Sequence, residues 1–397
     1  MVFIERHCRP LIMNKFAVLS PSNRKQGSRF SGIHSLLLAL LLSAASGAWS
    51  MSADTDSFSG KGPSWAEDYS GAISAIESAQ DVVVFPIRIA GTGSVSPGGR
   101  IANKIAQVAG VGGIAVIYPD IGEPYRSVFT QIIDGIEDKA KGHVANFAIG
   151  PNVDVNELNN SLRRQDTRVV IALGRQGMKV ASALDNKIGV VVGGVLTAAD
   201  DGTRTLQVNS LSPDPALLFS RLKKMMPNAR RVLTVYDPRQ NEWLIRLAKE
   251  GAAASGLELV AYPAQDLRGA MRAYQEIVAG VDSGRDALWL PQDSTTVEES
   301  TVMPFVLQES WNSNLAVFSS SFGHVKRGVL FSLYPDNVEL GRHLASDALD
   351  LLASGGRDGA ALTPLREVLM AVNLRTAKHL GLNTGRLQSF DMAFPEQ

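Results

Sequence analysis

From Gly112 onward the chain repeats one unit, a short apolar run followed by a stretch of 3.6-residue apolar period. Runs such as Val169–Leu173 and Ala287–Leu290 are apolar along their whole length, so both of their faces must be covered. Such a pattern fits parallel sheets with helices on both sides. Strands are predicted at Ile114–Tyr118, Val144–Ile149, Val169–Leu173, Val190–Val192, Arg231–Tyr236, Leu257–Ala261, Ala287–Leu290, Ala316–Ser319, Val329–Leu333 and Val368–Val372. Helices are predicted at Ser127–Ala140, Ala216–Met226, Glu242–Ala254 and Val338–Ala353. In the last, Val338, Leu340, Leu344, Leu351 and Leu352 form one stripe. So many strands exceed one comfortable core, and the fold class is therefore α/β with two sheets. The joint is expected at Leu211–Pro215, where Pro213 and Pro215 interrupt the alternation.

The N-terminus has a different character. Residues 1–50 carry Arg6, Arg9, Lys15, Arg24, Lys25 and Arg29 against the single acid Glu5, and lead into the apolar stretch Ser35–Ala48. A basic region, a short apolar core and small residues at Ser46–Ala48 have the order of a secretory signal. The apolar core holds about ten residues, roughly half of what a membrane-spanning helix needs. Cleavage is expected between Trp49 and Ala53, giving a periplasmic product. The only cysteine, Cys8, would leave with the signal, so neither a lipid anchor nor a disulfide is expected. Residues 51–110 read as an extension or linker, with strand character at Asp81–Ile89.

Of 39 basic and 39 acidic residues, 33 and 38 lie beyond residue 50, a net charge of −5. A mildly acidic body has no electrostatic footprint for nucleic acid. The four histidines in that part, His143, His324, His343 and His379, have no metal-ligand spacing, and neither a Gly-x-Ser-x-Gly elbow nor a phosphate loop is present. Gly110–Gly113 precedes a strand instead of following one, so it is no dinucleotide turn. No enzyme, metal or cofactor is predicted.

In open α/β sheets ligands bind beyond the carboxyl ends of strands. Those ends bring Arg175, Gln176, Gly194, Tyr236, Asp293, Ser294, Ser319, Ser320, Ser321 and Tyr334 forward as candidates for a small polar or zwitterionic ligand.

Four of these stretches carry a family resemblance. Arg230–Pro238, Asp286–Thr296, Ala316–Gly328 with Leu333–Gly341, and Val372–Gly381 resemble the ABC-transporter substrate-binding proteins of the tryptophan/tyrosine-associated group. The resemblance covers about residues 112–385. It implies the type I periplasmic binding fold, two Rossmann-like doubly wound parallel-sheet lobes joined by a hinge. The implied lobes are 111–212, with 327–355 returning, and 213–326, with 356–397 returning. Val329–Leu333 would then belong to the first lobe and Val368–Val372 to the second. It also implies a monomer that passes an amino acid or related solute to an ABC permease in the inner membrane. Three stretches depart from the family. Gly174–Gly177 replaces a small hydroxyl-rich turn, Leu196–Asp200 replaces an Asp-Pro, and Pro238–Asn241 replaces an Asn- or Glu-rich turn.

The resemblance gives Asp293 an ammonium to face, and Arg175 could clamp a carboxylate bidentately. Local chemistry offers Asp293 a second role, favouring a helix N-terminus beside a Thr295/Glu298 capping box. Arg175 could equally be a solvated surface side chain. Ser319–Ser321 could bind a carboxylate or end a strand in a turn. Tyr236 and Tyr334 could stack on a ligand or pack between lobes, and His324 is the histidine placed to touch one. The alternative to transport is a two-lobed sensory or interaction protein with a remodelled cleft.

Overall fold

The computed structural model describes residues 113–123, 125–142, 144–197, 206–355, 361–383 and 390–395. The expected signal, the 51–110 extension and His143 lie outside them. The first sheet contains β1 (Ile114–Pro119), β2 (Ala145–Ile149), β3 (Val169–Leu173), β4 (Gly189–Val195), β5 (Gln207–Pro213) and β11 (Ala361–Leu365), in the order β2-β1-β3-β4-β5-β11. The second contains β6 (Arg231–Tyr236), β7 (Glu258–Pro263), β8 (Asp286–Leu290), β9 (Ala316–Ser319), β10 (Phe331–Pro335), β12 (Val368–Asn373) and β13 (Met392–Phe394), in the order β7-β6-β8-β9-β10-β12-β13. Both sheets thus share the winding 2-1-3-4-5. Every pair is parallel except β10 with β12.

Alternation along the strands builds two cores per sheet. In the first lobe Ile114 and Val116 point to α1 (Tyr125–Ala140) and α9 (Asn337–Ala353), where Phe129, Ile132, Leu340 and Leu344 meet them. Ala115 and Ile117 point the other way, to Leu158 and Leu162 of α2 (Val155–Arg164) and Met178 of α3 (Gly174–Ser182). In the second lobe Val232 and Trp289 pack on Phe219 of α4 (Pro215–Met225) and Leu244 of α5 (Pro238–Ala254). Leu233 and Val235 face Tyr274 of α6 (Leu267–Gly280) and Met303 of α7 (Val302–Ser313). Helices α1 and α9 cross at two glycines, because a Cβ on Gly135 would meet Val338 O at 2.0 Å and one on Gly341 would meet Ile132 O at 2.0 Å.

Two expectations are corrected and a third is narrowed. Phe331–Pro335 does not return to the first lobe; it pairs with β9, and Phe331 stacks on Phe318 with centroids 5.1 Å apart. Only the short α8 (Gly323–Arg327) separates β9 from β10, too little chain to leave the sheet. Helix α9 makes that return instead. Residues 356–397 are not wholly second-lobe, since β11 pairs with β5. The joint falls within the expected Leu211–Pro215: Leu211–Pro213 is the end of β5, and the joint itself is Asp214. There Pro213 closes a strand, while Asp214 caps α4 by accepting from Ala216 N at 2.9 Å, with Pro215 at the helix start where its missing N–H costs nothing.

The chain crosses between sheets three times among the described residues, at Asp214, Asp336 and Arg366–Glu367. Each crossing leaves a strand at its carboxyl end. Each arrives either at a helix whose next strand starts from the opposite edge, or at β12, which runs back antiparallel from Val368 opposite Pro335. The carboxyl edges of the two sheets are therefore the edges turned toward one another.

Candidate functional site

In a 2-1-3-4-5 sheet the strand order reverses between the first and third strands, and the loops there part to leave a crevice. In the first lobe those loops follow β1 and β3; in the second they follow β6 and β8. Asp293 stands at the second of these points. It is 5% exposed, and both of its oxygens are occupied. Oδ2 accepts from Asp237 N at 2.7 Å and Asn241 Nδ2 at 2.9 Å, while Oδ1 accepts from Thr295 N at 3.1 Å and Thr296 N at 2.9 Å. One carboxylate thus ties the β6 loop to the β8 loop and fills the roughly four lone-pair positions it has. The expected capping box at Thr295/Glu298 is absent. Asp293 itself organises that turn, and Glu298 accepts from Ser300 N and Thr301 N just before α7.

Around Asp293 the second lobe is densely bonded. Asp237 is buried, caps α5 and holds Arg239 through both oxygens at 2.6–3.1 Å. The Arg239 guanidinium keeps the Asp237 carboxyl at about 2. Tyr236 donates to Glu242 Oε2 at 3.0 Å, and burial, then that bond, raises its pKa. Gln240 Nε2 donates to Thr295 Oγ1 at 2.8 Å, and the exposed Ser294 reaches Gln240 Oε1 at 3.4 Å. Gln292 Oε1 is buried without a hydrogen-bond partner.

The serine turn is tied into the same lobe. Ser319, fully buried, donates to Leu290 O at 3.2 Å, accepts from Ser321 N at 2.9 Å, and lies 2.8 Å from His324 Nδ1. Burial, then the charge of Arg327, pushes His324 down to about 4, so the ring is neutral near pH 7. Ser320 Oγ accepts from Trp289 Nε1 at 3.0 Å. Ser321 is half-buried at the rim. Tyr334 packs on Phe322 with centroids 4.8 Å apart, and burial raises it to about 12.

The first lobe is built otherwise. Gly174–Gly177, read from sequence as a turn, is the first turn of α3, which begins without a side-chain cap. Gly174 has φ +72° and packs beside Pro119, and Gly194 has φ +73°, where a Cβ would sit 3.3 Å from Gly174 N. An ordinary side chain is strained at both. Arg175 is half-buried in the first turn of that helix, and Gln176 Nε2 donates to Gly150 O at 2.5 Å, fixing the β2 end.

The candidates therefore fall into two groups. Asp293, Ser294, Ser319, Ser320 and Ser321 share adjoining loops of the second sheet, while Arg175, Gln176 and Gly194 cluster on the first. Tyr236 and Tyr334 are mainly packing residues at strand ends. Gln240 and Asn241 were missed as site residues, although Asp237-Pro238 marks a helix start and puts them in its first turn. Among the described residues no group of three or more His, Cys, Asp or Glu could hold a metal ion, and no helix is long and apolar enough to cross a membrane.

The family profile described as ABC transporter substrate binding protein matches residues 134–386. A substrate binding protein with adhesive properties from Clostridium difficile, in its ligand-free, open structure, is similar at 15% identity and TM-score 0.51, over 71% of this chain and 99% of that one. The ABC domain in complex with L-Trp from Streptococcus pneumoniae aligns at 16% identity and TM-score 0.42, over 71% and 100%. A conserved domain protein from Vibrio cholerae aligns at 16% identity and TM-score 0.44, over 71% and 99%. No curated protein matches the chain. With the two sheets described above, the family match and the likeness to the Clostridium difficile protein give the fold, that of the type I periplasmic binding proteins.

Proposed function

The chain belongs to the ABC transporter substrate-binding proteins, and from that premise we propose that it is exported and captures a small polar solute, an amino acid or a related compound, for an ABC permease. Members of this family are binding proteins, typically extracellular or periplasmic, and form no enzyme class. The observation that carries the reading is the facing of the two carboxyl edges, which sets one switch point opposite the other. A solute between them meets two kinds of chemistry. From the first lobe Arg175 and the uncapped start of α3 offer positive charge to a carboxylate. From the second lobe Ser294, Ser321 and Gln240 offer hydrogen bonds, and Asp293 beneath them offers negative potential toward an ammonium group. Its own lone pairs are taken, so its part is to position the loop and bias the charge. Ser319 and Ser320 hold the turn on which Ser321 stands. The likeness to a protein in complex with L-Trp agrees with an amino-acid ligand.

Native mass spectrometry of protein purified from its host should reveal a co-purified small molecule, and calorimetry against the free amino acids should find a binder. Arg175→Ala should weaken that binder at least about tenfold, the loss of one charge-assisted pair. An unchanged affinity would remove Arg175 from the site. A second reading, a sensory or interaction protein with a remodelled cleft, draws on one observation: a helix start occupies Gly174–Gly177. It predicts no co-purified solute and no binder among the amino acids.

A further inference from the structure

The three crossings lie side by side. Asp214 N donates to Leu365 O at 2.8 Å, and Asp336 N donates to Glu367 O at 2.9 Å. Rotation of one lobe on the other must be absorbed by the torsions of these few residues, because no other covalent link joins the sheets among the described residues. Side chains brace them. Arg366 Nη1 lies 3.2 Å from Asp214 Oδ2, which ties the third crossing to the first. His343, on α9, places Nδ1 3.2 Å from Glu367 Oε1 and Nε2 3.7 Å from Asp347 Oδ2. Asp347 also accepts from Asn209 Nδ2 at 2.9 Å, and Thr363 Oγ1 donates to Asn209 Oδ1 at 2.8 Å. The network runs from β11 through β5 and α9 to the third crossing.

Both nitrogens of the His343 ring face a carboxylate. A neutral ring carries one N–H and would turn its lone pair on one of the carboxylates, whereas a charged ring donates to Glu367 and is attracted by Asp347 across 3.7 Å. We propose that His343 is a protonation-controlled latch on the hinge, bridging Glu367 and Asp347 when charged and releasing the third crossing when neutral. The charged groups facing the ring are Glu367 from the crossing and Asp347 from its own helix; β5 and β11 present the uncharged Asn209 and Thr363. The neighbouring cations are engaged elsewhere, Arg342 with Asp138 and Glu339 and Arg366 with Asp214. The bond to Glu367 raises His343 above its ordinary range. Burial acts most strongly on Glu367 and would raise it, but the His343 bond, the His343 charge and backbone hydrogen bonds together lower the carboxyl. The latch is made below the raised His343 pKa and is lost as pH rises through it.

This inference rests on the two-lobed fold and not on what the cleft binds, so it is tested without ligand. Spin labels at Lys179→Cys on the first lobe and Lys249→Cys on the second, in a chain carrying Cys8→Ser, report the interlobe distance. The distance distribution should change between about pH 6 and about pH 8.5, bracketing a raised histidine, and the change should vanish in His343→Gln and in Glu367→Gln. As a second readout, NMR titration of the His343 ring should show its pKa falling toward the ordinary value in Glu367→Gln. A distribution indifferent to pH, a shift that persists in His343→Gln, or a His343 titration unmoved by Glu367→Gln overturns the latch. None of these outcomes bears on the solute-binding reading.

Discussion

The second lobe closes its switch point with a side chain, and the first closes its own with the lack of one. Between β6 and β8, Asp293 gathers four donors and locks two loops together. Between β1 and β3, Gly174 lets Pro119 and the α3 start come together, with Gly194 close above. A buried carboxylate fixes positions but uses up its acceptors, whereas a glycine contact leaves the helix N–H groups without a side-chain cap. The first surface thus offers donors, and the second offers a rigid, prearranged set of hydroxyl and amide groups.

The largest break in this contrast should come from Asp293→Ala. It orphans three backbone N–H groups and removes one of the two bonds of the Asn241 amide, whose other goes to Gln292 O, at a cost of about 4 kcal/mol in chemical denaturation. Asp293→Asn, which keeps one acceptor oxygen, should cost about half as much. A loss below about 1 kcal/mol would mean that the loops do not depend on this carboxylate. Next in size is a proton. His324 is buried neutral, so the unfolded chain binds more protons between its ordinary value near 6.5 and its folded value of about 4. Stability is therefore full above the ordinary value and falls as pH drops through this window, by about 3 kcal/mol in all. In His324→Gln that part of the acid sensitivity should disappear. The smallest effect belongs to the first lobe, where Gly194→Ala should cost about 1 to 2 kcal/mol for a side chain at positive φ. If it costs nothing, the glycine is there for ligand access and not for backbone geometry.

The sequence made the wholly apolar strands legible, because a run such as Val169–Leu173 has no other use than burial on both faces. Strand β5 escaped because Asn209, Ser210 and Ser212 make it look like a loop. They are buried, yet each is bonded, Asn209 to Asp347 and Ser210 both to Leu196 O and to Ser212 N. β11 escaped because it is a half-exposed edge strand containing Pro364, which only an edge tolerates. The strand-end rule picks out the loops of the candidate site, but not which of their groups are already spent. Ser319 looks like a ligand hydroxyl until Leu290, 29 residues earlier, is brought beside it. Arg175 was read as part of a turn because nothing local announces a helix that starts directly from a strand.

The crossing of α1 and α9 at Gly135 and Gly341 also bears on the order of folding. Leu340, Leu344, Ala348, Leu351 and Leu365 all belong to the core around Val116 and Ile171. During synthesis the first lobe therefore lacks one covering helix and an edge strand until some 150 further residues beyond β5 have been made. Closing so long a loop is slow, and through that interval one face of the first sheet has only α1 to cover it. Vectorial synthesis keeps the first lobe unfinished until α9 and β11 have followed the whole sequence of β6 to β10.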